Sequence, residues 1–258
     1  MTMRPHPAEN IPEHRLRDLR LLASDIDDTL TESGHIPPAV LETLQRVKND
    51  GVRVWLVTGR SAAWGQAMSH YLDVDGVIAE NGGVICRGEE VRLLADTSLI
   101  GDGRARLIEA FERLRKRLPA ARATGDNIGR LTDWTIDRAT LSTDEVATAA
   151  ATAEEAGLRC VASSIHVHYF AAGHDKATAL GRICEEEAID DRQQVLTLGD
   201  SVNDEPLFNP AYFPFSVGVA NVAEYLDQLQ HRPLFMLPAP RAAGALWLLR
   251  RILVCRGV

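Results

Sequence analysis

Apolar and polar residues come in blocks along this chain, and the blocks have two textures. Residues 19–26 open with Leu19, Leu21, Leu22, Ala23 and Ile26. A short apolar run of this kind suits a strand buried on both faces of a parallel sheet. Residues 37–50 place Val40, Leu41, Leu44 and Val47 at helical spacing, with Pro near the first turn and Gly51 just past the end, which predicts a helix. Residues 52–57 predict a second buried strand, 61–72 a helix and 76–79 a third strand. Strand, helix, strand, helix, strand argues for an open parallel sheet with helices on both faces. Ligands of such sheets gather at the carboxyl ends of strands. Here those ends carry Asp25, Thr58 and Glu80.

The texture changes after Gly83. Residues 84–86 and 91–93 predict a hairpin around Arg87, Gly88 and Glu89, and 104–118 a basic amphipathic helix. Residues 131–137 predict a strand, and 143–156 an Ala-rich helix with Ser142 or Thr143 as cap and Gly157 as stop. Two more strands are expected at 158–162 and 165–170. From Lys176 the first texture returns: a helix at 177–187, a strand at 195–198, a short helix at 206–208, a strand at 215–219 and a helix at 222–229. The predicted class is α/β, a Rossmann-like doubly wound parallel sheet core (19–83 and 172–258) with an inserted α+β cap domain (84–171). Residues 1–18, rich in Pro, His, Arg and Glu without an apolar core, read as a flexible arm and not as a signal peptide. Residues 242–254 are apolar but interrupted by Arg250 and Arg251, so they read as a C-terminal helix packed on the core and not as a membrane span.

Composition narrows the function. With 258 residues, 45% hydrophobic and 25% charged, the chain has room for two ordinary globular domains. A net charge of −8 does not favour nucleic acid, nor any other anion, unless positive charge is concentrated locally by a metal ion or a placed Lys or Arg. The four cysteines, Cys86, Cys160, Cys184 and Cys255, are scattered without a CxxC pair, as suits thiols in a reducing cytosol. A cytoplasmic protein without nucleic-acid or membrane partners is expected, its oligomeric state open.

Four groups carry candidate chemistry. Asp25, Ile26, Asp27, Asp28 and Thr29 follow a buried strand. A tight turn there can aim the Asp27 carbonyl toward Asp25, an oxygen set that a hard cation such as magnesium accepts, although an acidic turn has the same composition. Thr58, Gly59 and Arg60 follow the second strand; they can hold a phosphate oxygen or merely cap a helix. Lys176 enters a helix, where it can anchor phosphate beside carboxylates or sit at the surface. Gly199, Asp200, Ser201, Val202, Asn203 and Asp204 follow another apolar strand; Asp200 can complete a metal site and Asp204 can hold Lys176.

Taken together and in this order, these groups resemble the four motifs of the haloacid dehalogenase superfamily, over nearly the whole chain past the N-terminal arm. The insertion, with Glu80, Asn81, Gly82 and Gly83 at its entrance, resembles the α+β (type IIB) cap of Cof-type members. That subgroup includes sucrose-phosphate, mannosyl-3-phosphoglycerate and trehalose-phosphate phosphatases and the phosphomannomutases. The resemblance implies a Mg2+-dependent phosphatase acting on a small phosphate ester, a sugar phosphate or phosphoglycerate derivative. It implies Asp25 as the nucleophile that forms an aspartyl-phosphate and Asp27 as general acid and base. Magnesium would lie between Asp25, the carbonyl of Asp27 and Asp200. Thr58, Gly59 and Lys176 would hold the phosphoryl group, Asp204 would orient Lys176 and Asn203 would brace the loop. A phosphomutase on the same core and a non-catalytic binding protein are the alternatives.

Substrate choice is expected in the cap, with Arg60, Glu80 and Asn81 at its entrance. Ser164, His166 and His168 lie two apart, as on one face of a strand. They form either a polar wall for a substrate or the wet side of a half-buried sheet. Zinc at these histidines lacks a third ligand. Arg130 and the basic helix read as a solvated face that can also greet anions.

Overall fold

The computed structural model describes residues 4–94 and 102–258; residues 1–3 of the expected arm and 95–101 of the expected insertion lie outside the described residues. Strand β1 (His6–Pro7) is followed by a 3-10 turn and helix α1 (Glu13–Arg17). The flexible arm expected at 1–18 is therefore corrected from His6 onward. Ala8, Ile11 and Leu16 are buried in the main core, and α1 packs on the C-terminal helix. The Arg251 guanidinium donates to the carbonyls of Ala8, Glu9 and Ile11. Few but well-placed apolar residues suffice, because the far end of the chain supplies the surface they cover.

The core follows the expected order. Strands β2 (Leu21–Ser24), β3 (Arg53–Val57) and β4 (Gly76–Ala79) alternate with helices α2 (Pro38–Asn49) and α3 (Ala62–Tyr71). Alternate strand residues serve opposite faces. Leu22, Val54 and Leu56 join one apolar cluster, and Leu21, Ala23, Trp55 and Val57 join the other. Strands β5 (Val84–Arg87) and β6 (Glu90–Leu93) form the expected hairpin, but they extend the main sheet antiparallel to β4. The expected start of the cap at residue 84 is thus corrected. Val84 and Cys86 share a core cluster with Val77 and Ala79, so burial ties this hairpin to the core.

Helix α4 (Asp102–Arg117), strand β7 (Asp133–Asp137), helix α5 (Thr143–Glu155) and strands β8 (Arg159–Ala162) and β9 (His166–Phe170) make the inserted layer. Its antiparallel sheet has the order β7-β9-β8. Val167 and Tyr169 of β9 join Leu107, Phe111, Leu114 and Ala149 of the two helices in one apolar cluster. The intervening His166 and His168 are left for the opposite face, toward the core.

The chain then returns through α6 (Lys176–Glu186), β10 (Val195–Gly199), α7 (Glu205–Phe208), β11 (Ser216–Gly218), β12 (Phe235–Met236) and α8 (Arg241–Arg256). The main sheet runs β1-β12-β11-β10-β2-β3-β4-β5-β6, and all its neighbours up to β4 are parallel. The helix expected at 222–229 is a 3-10 turn, Ala220–Glu224, continued by turns. Tyr225 and Gln228 donate to carbonyls three residues back, and Arg232 takes the Leu226 carbonyl, an acceptor that a longer helix would use.

Candidate active site

Register places the candidate residues. Ser24 pairs with Leu198 on one side and with Leu56 on the other. The carboxyl ends of β10, β2 and β3 are therefore level, and Asp200, Asp25 and Thr58 leave them side by side. The Asp25 amide donates to the Leu198 carbonyl at 2.8 Å. Beyond it the chain turns sharply: the Ile26 carbonyl accepts from the amides of Thr29, Leu30 and Thr31. Asp28 adopts a φ of 57°, a left-handed conformation that Asp tolerates better than most residues.

Lys176 stands in the first turn of α6, capped by Asp175. Its Nζ donates to Asp25 Oδ1 at 2.7 Å and to Asp204 Oδ1 at 2.6 Å. All three side chains are buried. Burial opposes the charge on Lys176, but Asp204 and Asp25 outweigh it and push its pKa up. Asp204 Oδ2 accepts from the amides of Asp200 and Ser201 at 2.9 and 3.1 Å. Gly199 is required beneath it, since a Cβ there would lie 2.5 Å from Asp204 Cγ. Asn203 braces the loop, accepting from Ser201 Oγ at 2.8 Å and donating to Asn81 Oδ1 at 3.2 Å.

Asp25, Asp200 and Asp204 bring carboxylate oxygens within 4.8 Å of one another. Burial first, then the neighbouring carboxylates, raises Asp25 and Asp200 well above the ordinary carboxyl range, although Lys176 pulls the other way. A dry cluster of three carboxylates and one ammonium fits a divalent cation, which relieves that repulsion. Asp204 is committed to Lys176 and two backbone amides, whereas Asp25 Oδ2 takes no hydrogen bond among the described residues and Asp200 takes one neutral donor on each oxygen, so Asp25 and Asp200 are the side chains more available to hold it. The Asp27 carboxylate points elsewhere: Arg60 grips it through Nε at 2.7 Å and Nη2 at 2.6 Å. Thr58 Oγ1 accepts from the Arg60 amide at 3.1 Å, which leaves its own proton free to donate.

A cavity of about 10 Å3 lies between these loops and the inserted layer. Its floor is Asp25, Asp27, Gly59, Arg60, Asp200 and Asn203, and its roof is Ser163, Ser164, Ile165, His166 and His168. His166 and His168 are buried and so are not the wet side of a sheet, while Ser163, Ser164 and Ile165 are half-buried. Ser164 lies in the turn before β9 and not on the strand with the histidines. Arg130, expected on a solvated face, is buried. It donates to Asp126 at 2.8 Å, to both oxygens of Asp133 at 2.8 and 2.9 Å, and to the Gly59 carbonyl at 3.0 Å. Asp133 in turn meets His168 Nδ1 at 2.9 Å.

Glu80 and Asn81 have φ of 51° and 53°, and this turn aims Glu80 inward. Its carboxylate accepts from the Ala62 amide, the Leu131 and Thr132 amides and Thr132 Oγ1 at 2.6–2.9 Å. Burial, then Asp133, pushes its pKa up to about 7. Expected to touch substrate, Glu80 instead ties the core to the segment leading into β7. Asn81 is absent from the cavity wall and lines a neighbouring cleft of about 540 Å3 with Lys176 and Asn203. Two residues escaped sequence reasoning. Asp133 gave no signal, because its partners lie on other elements. Asn221, which donates to Asp200 Oδ2 and the Asp28 carbonyl at 3.1 Å each, follows an apolar strand, and the strand-end rule that found the others reaches it too.

A model of the haloacid dehalogenase-like hydrolase family matches residues 22–128. The phosphoglycolate phosphatase of Haloarcula marismortui is 32% identical over 209 residues, which cover 79% of this chain and 85% of that one. The chain belongs to the haloacid dehalogenase-like hydrolases. The phosphoglycolate phosphatase of Methanothrix thermoacetophila, 28% identical over 206 residues, spans 79% of this hydrolase and 85% of its own length. A Thermoplasma acidophilum protein of known crystal structure superposes with a TM-score of 0.73 at 22% identity, over 91% of this chain and 98% of that one. The C-terminal domain of trehalose-6-phosphate phosphatase from C. albicans does so with 0.69 at 16% identity, over 99% of each. At those identities the likeness concerns the fold, inserted layer included. Among the relatives matched in sequence, phosphatase is the shared activity, and this hydrolase is a phosphatase.

Proposed function

We propose that this phosphatase is magnesium-dependent and works through a phosphorylated Asp25. The observation that carries the reading is the division of labour on Asp25: Lys176 occupies Oδ1, while Oδ2 takes no hydrogen bond among the described residues and borders the cavity. Oδ2 attacks phosphorus, the ester P–O bond breaks, and the leaving oxygen takes a proton from Asp27. Water then attacks the aspartyl-phosphate, Asp27 takes its proton back, and inorganic phosphate leaves. Thr58, the Gly59 amide and Lys176 hold the phosphoryl oxygens. Asp25, Asp200 and the Asp27 carbonyl would hold magnesium, which would supply charge neutralisation between phosphate and carboxylates.

A sugar phosphate or phosphoglycerate derivative fits the polar roof; phosphoglycolate enters the panel because the relatives carry its name. A cytoplasmic setting is supported by four free cysteines. No helix among the described residues is long and apolar enough to cross a membrane. Phosphate release from such a panel, with and without magnesium, for wild type and Asp25→Asn, tests the reading. Metal-dependent release that vanishes in the variant supports it; release that survives in Asp25→Asn sinks it.

A further inference from the structure

We infer that Nε2 of His168 is a hydrogen-bond acceptor for a hydroxyl of the leaving group, and that it steers this enzyme toward hydroxylated phosphate esters and away from carboxylated ones. The inference rests on the phosphatase reading above and adds the substrate's chemistry to it.

The proton state follows from a chain of buried partners. Arg130 Nη1 donates to both oxygens of Asp133 and so favours its carboxylate, against the burial that raises its pKa. A carboxylate only accepts, so the 2.9 Å contact with His168 Nδ1 requires the proton on Nδ1. In a neutral imidazole the other nitrogen then carries the lone pair. A second proton is opposed by burial, by Arg130 and by Lys176, which together lower the His168 pKa well below its ordinary value. His166 beside it is likewise held neutral, its pKa lowered to about 4 by burial and by His168.

His168 is fully buried, and its Nε2 has no partner among the described residues. It lines the same cavity as Asp25, Asp27 and Asp200. A buried acceptor left unpaired is costly, and an arriving donor recovers that cost. A hydroxyl is such a donor; a carboxylate is not, and it meets a lone pair instead. Compensating cations are committed: Arg60 to Asp27, Arg130 to Asp126 and Asp133, Lys176 to Asp25 and Asp204. The relatives are named for phosphoglycolate, whose leaving group carries a carboxylate, so the inferred preference departs from theirs.

The decisive pair is 2-hydroxyethyl phosphate and 2-phosphoglycolate, which differ only in that group. With magnesium, the wild type is expected to favour 2-hydroxyethyl phosphate in kcat/KM by about tenfold, the size of one neutral hydrogen bond. His168→Phe is expected to erase the difference. A wild-type preference for 2-phosphoglycolate, or an unchanged ratio in His168→Phe, overturns the inference. p-Nitrophenyl phosphate, assayed on the wild type, tests the phosphatase reading separately, because its leaving group carries neither feature. The nitrogen-15 spectrum of His168 in the intact protein needs neither turnover nor a variant. It is expected to show an unprotonated Nε2 whose resonance moves with 2-hydroxyethyl phosphate; a protonated Nε2 overturns the inference.

Discussion

The floor and the roof of the cavity are both polar, for different reasons. The floor presents charge directly: Asp25, Asp27, Asp200, Arg60 and, behind them, Lys176 and Asp204. The roof presents neutral groups, and its charges, Arg130, Asp133 and Asp126, stand one layer back, where they fix proton positions. Under the proposed mechanism a floor of this kind would handle any phosphoryl group, because its contacts would end at phosphorus. A roof of this kind discriminates, because a neutral donor and acceptor pattern is read only by a matching leaving group. Separating the two lets chemistry stay fixed while preference changes.

Breaking the floor has the largest expected effect. Asp25→Asn should lower kcat by about 10^4-fold or more, the scale on which nucleophile removal acts elsewhere, for every ester alike. The same variant removes one buried carboxylate from a repelling cluster, so its metal-free melting temperature should not fall below that of the wild type. A drop confined to some esters would mean that floor and roof are not separable. Breaking the roof should be costly in a different currency. Arg130→Met leaves Asp133 and Asp126 buried without their partner and the Gly59 carbonyl without its donor, and loss of one side of such a pair costs about 3–5 kcal/mol. Urea unfolding measures it. A change below about 1 kcal/mol, the level of a surface pair, would remove the roof's charge network from the account.

The seam between floor and roof titrates. Glu80 ionises near 7 in the folded protein against 4.5 in the free state, chiefly through burial. Between those values the folded chain keeps a proton that the unfolded chain has lost. Its stabilising contribution is therefore complete below about pH 4.5 and is lost as the pH rises through about 7. At about 1.4 kcal/mol for each unit, the wild type should lose about 3 kcal/mol relative to Glu80→Gln across that window. Unfolding free energies of the pair at a series of pH values check it; parallel curves would deny Glu80 the role of a buried, titrating tie.

Most of the floor was legible in the sequence and most of the roof was not. Asp25 and Asp200, and Thr58 just outside the cavity wall, each end an apolar run, so a local pattern and one rule about strand ends located them. Lys176 needed only the helix start that follows Asp175. The roof depends on partners that no local pattern joins. Arg130 and Asp133 are three apart, but His168 lies on another strand and Gly59 in the core, so a solvated reading of Arg130 was the natural one. Residues 6–18 were misread for the same reason: Ala8, Ile11 and Leu16 gain their meaning from α8 at the other end of the chain. The fold class was readable because alternation of strands and helices is written locally, whereas the hairpin at 84–93 was assigned to the wrong layer because pairing is not.

The contact between the two regions is narrowest at Gly59. A Cβ there would lie 2.9 Å from His168 Cε1, closer than packed atoms tolerate, and in tight contact with His168 Nε2 at 3.0 Å and Asn81 Oδ1 at 3.2 Å. Gly59→Ala should therefore destabilise the protein by about 1–3 kcal/mol, the usual cost of overfilling a packed site. The closest clash is with one side chain of the roof, so its removal should relieve most of the strain. In a His168→Ala background, Gly59→Ala should cost less by about 1 kcal/mol, a coupling that neighbours of this kind commonly show. Unfolding free energies of the four proteins close the cycle. Strict additivity would mean that the roof does not rest on the loop after β3, and that the preference assigned to His168 is exerted across a gap and not through contact.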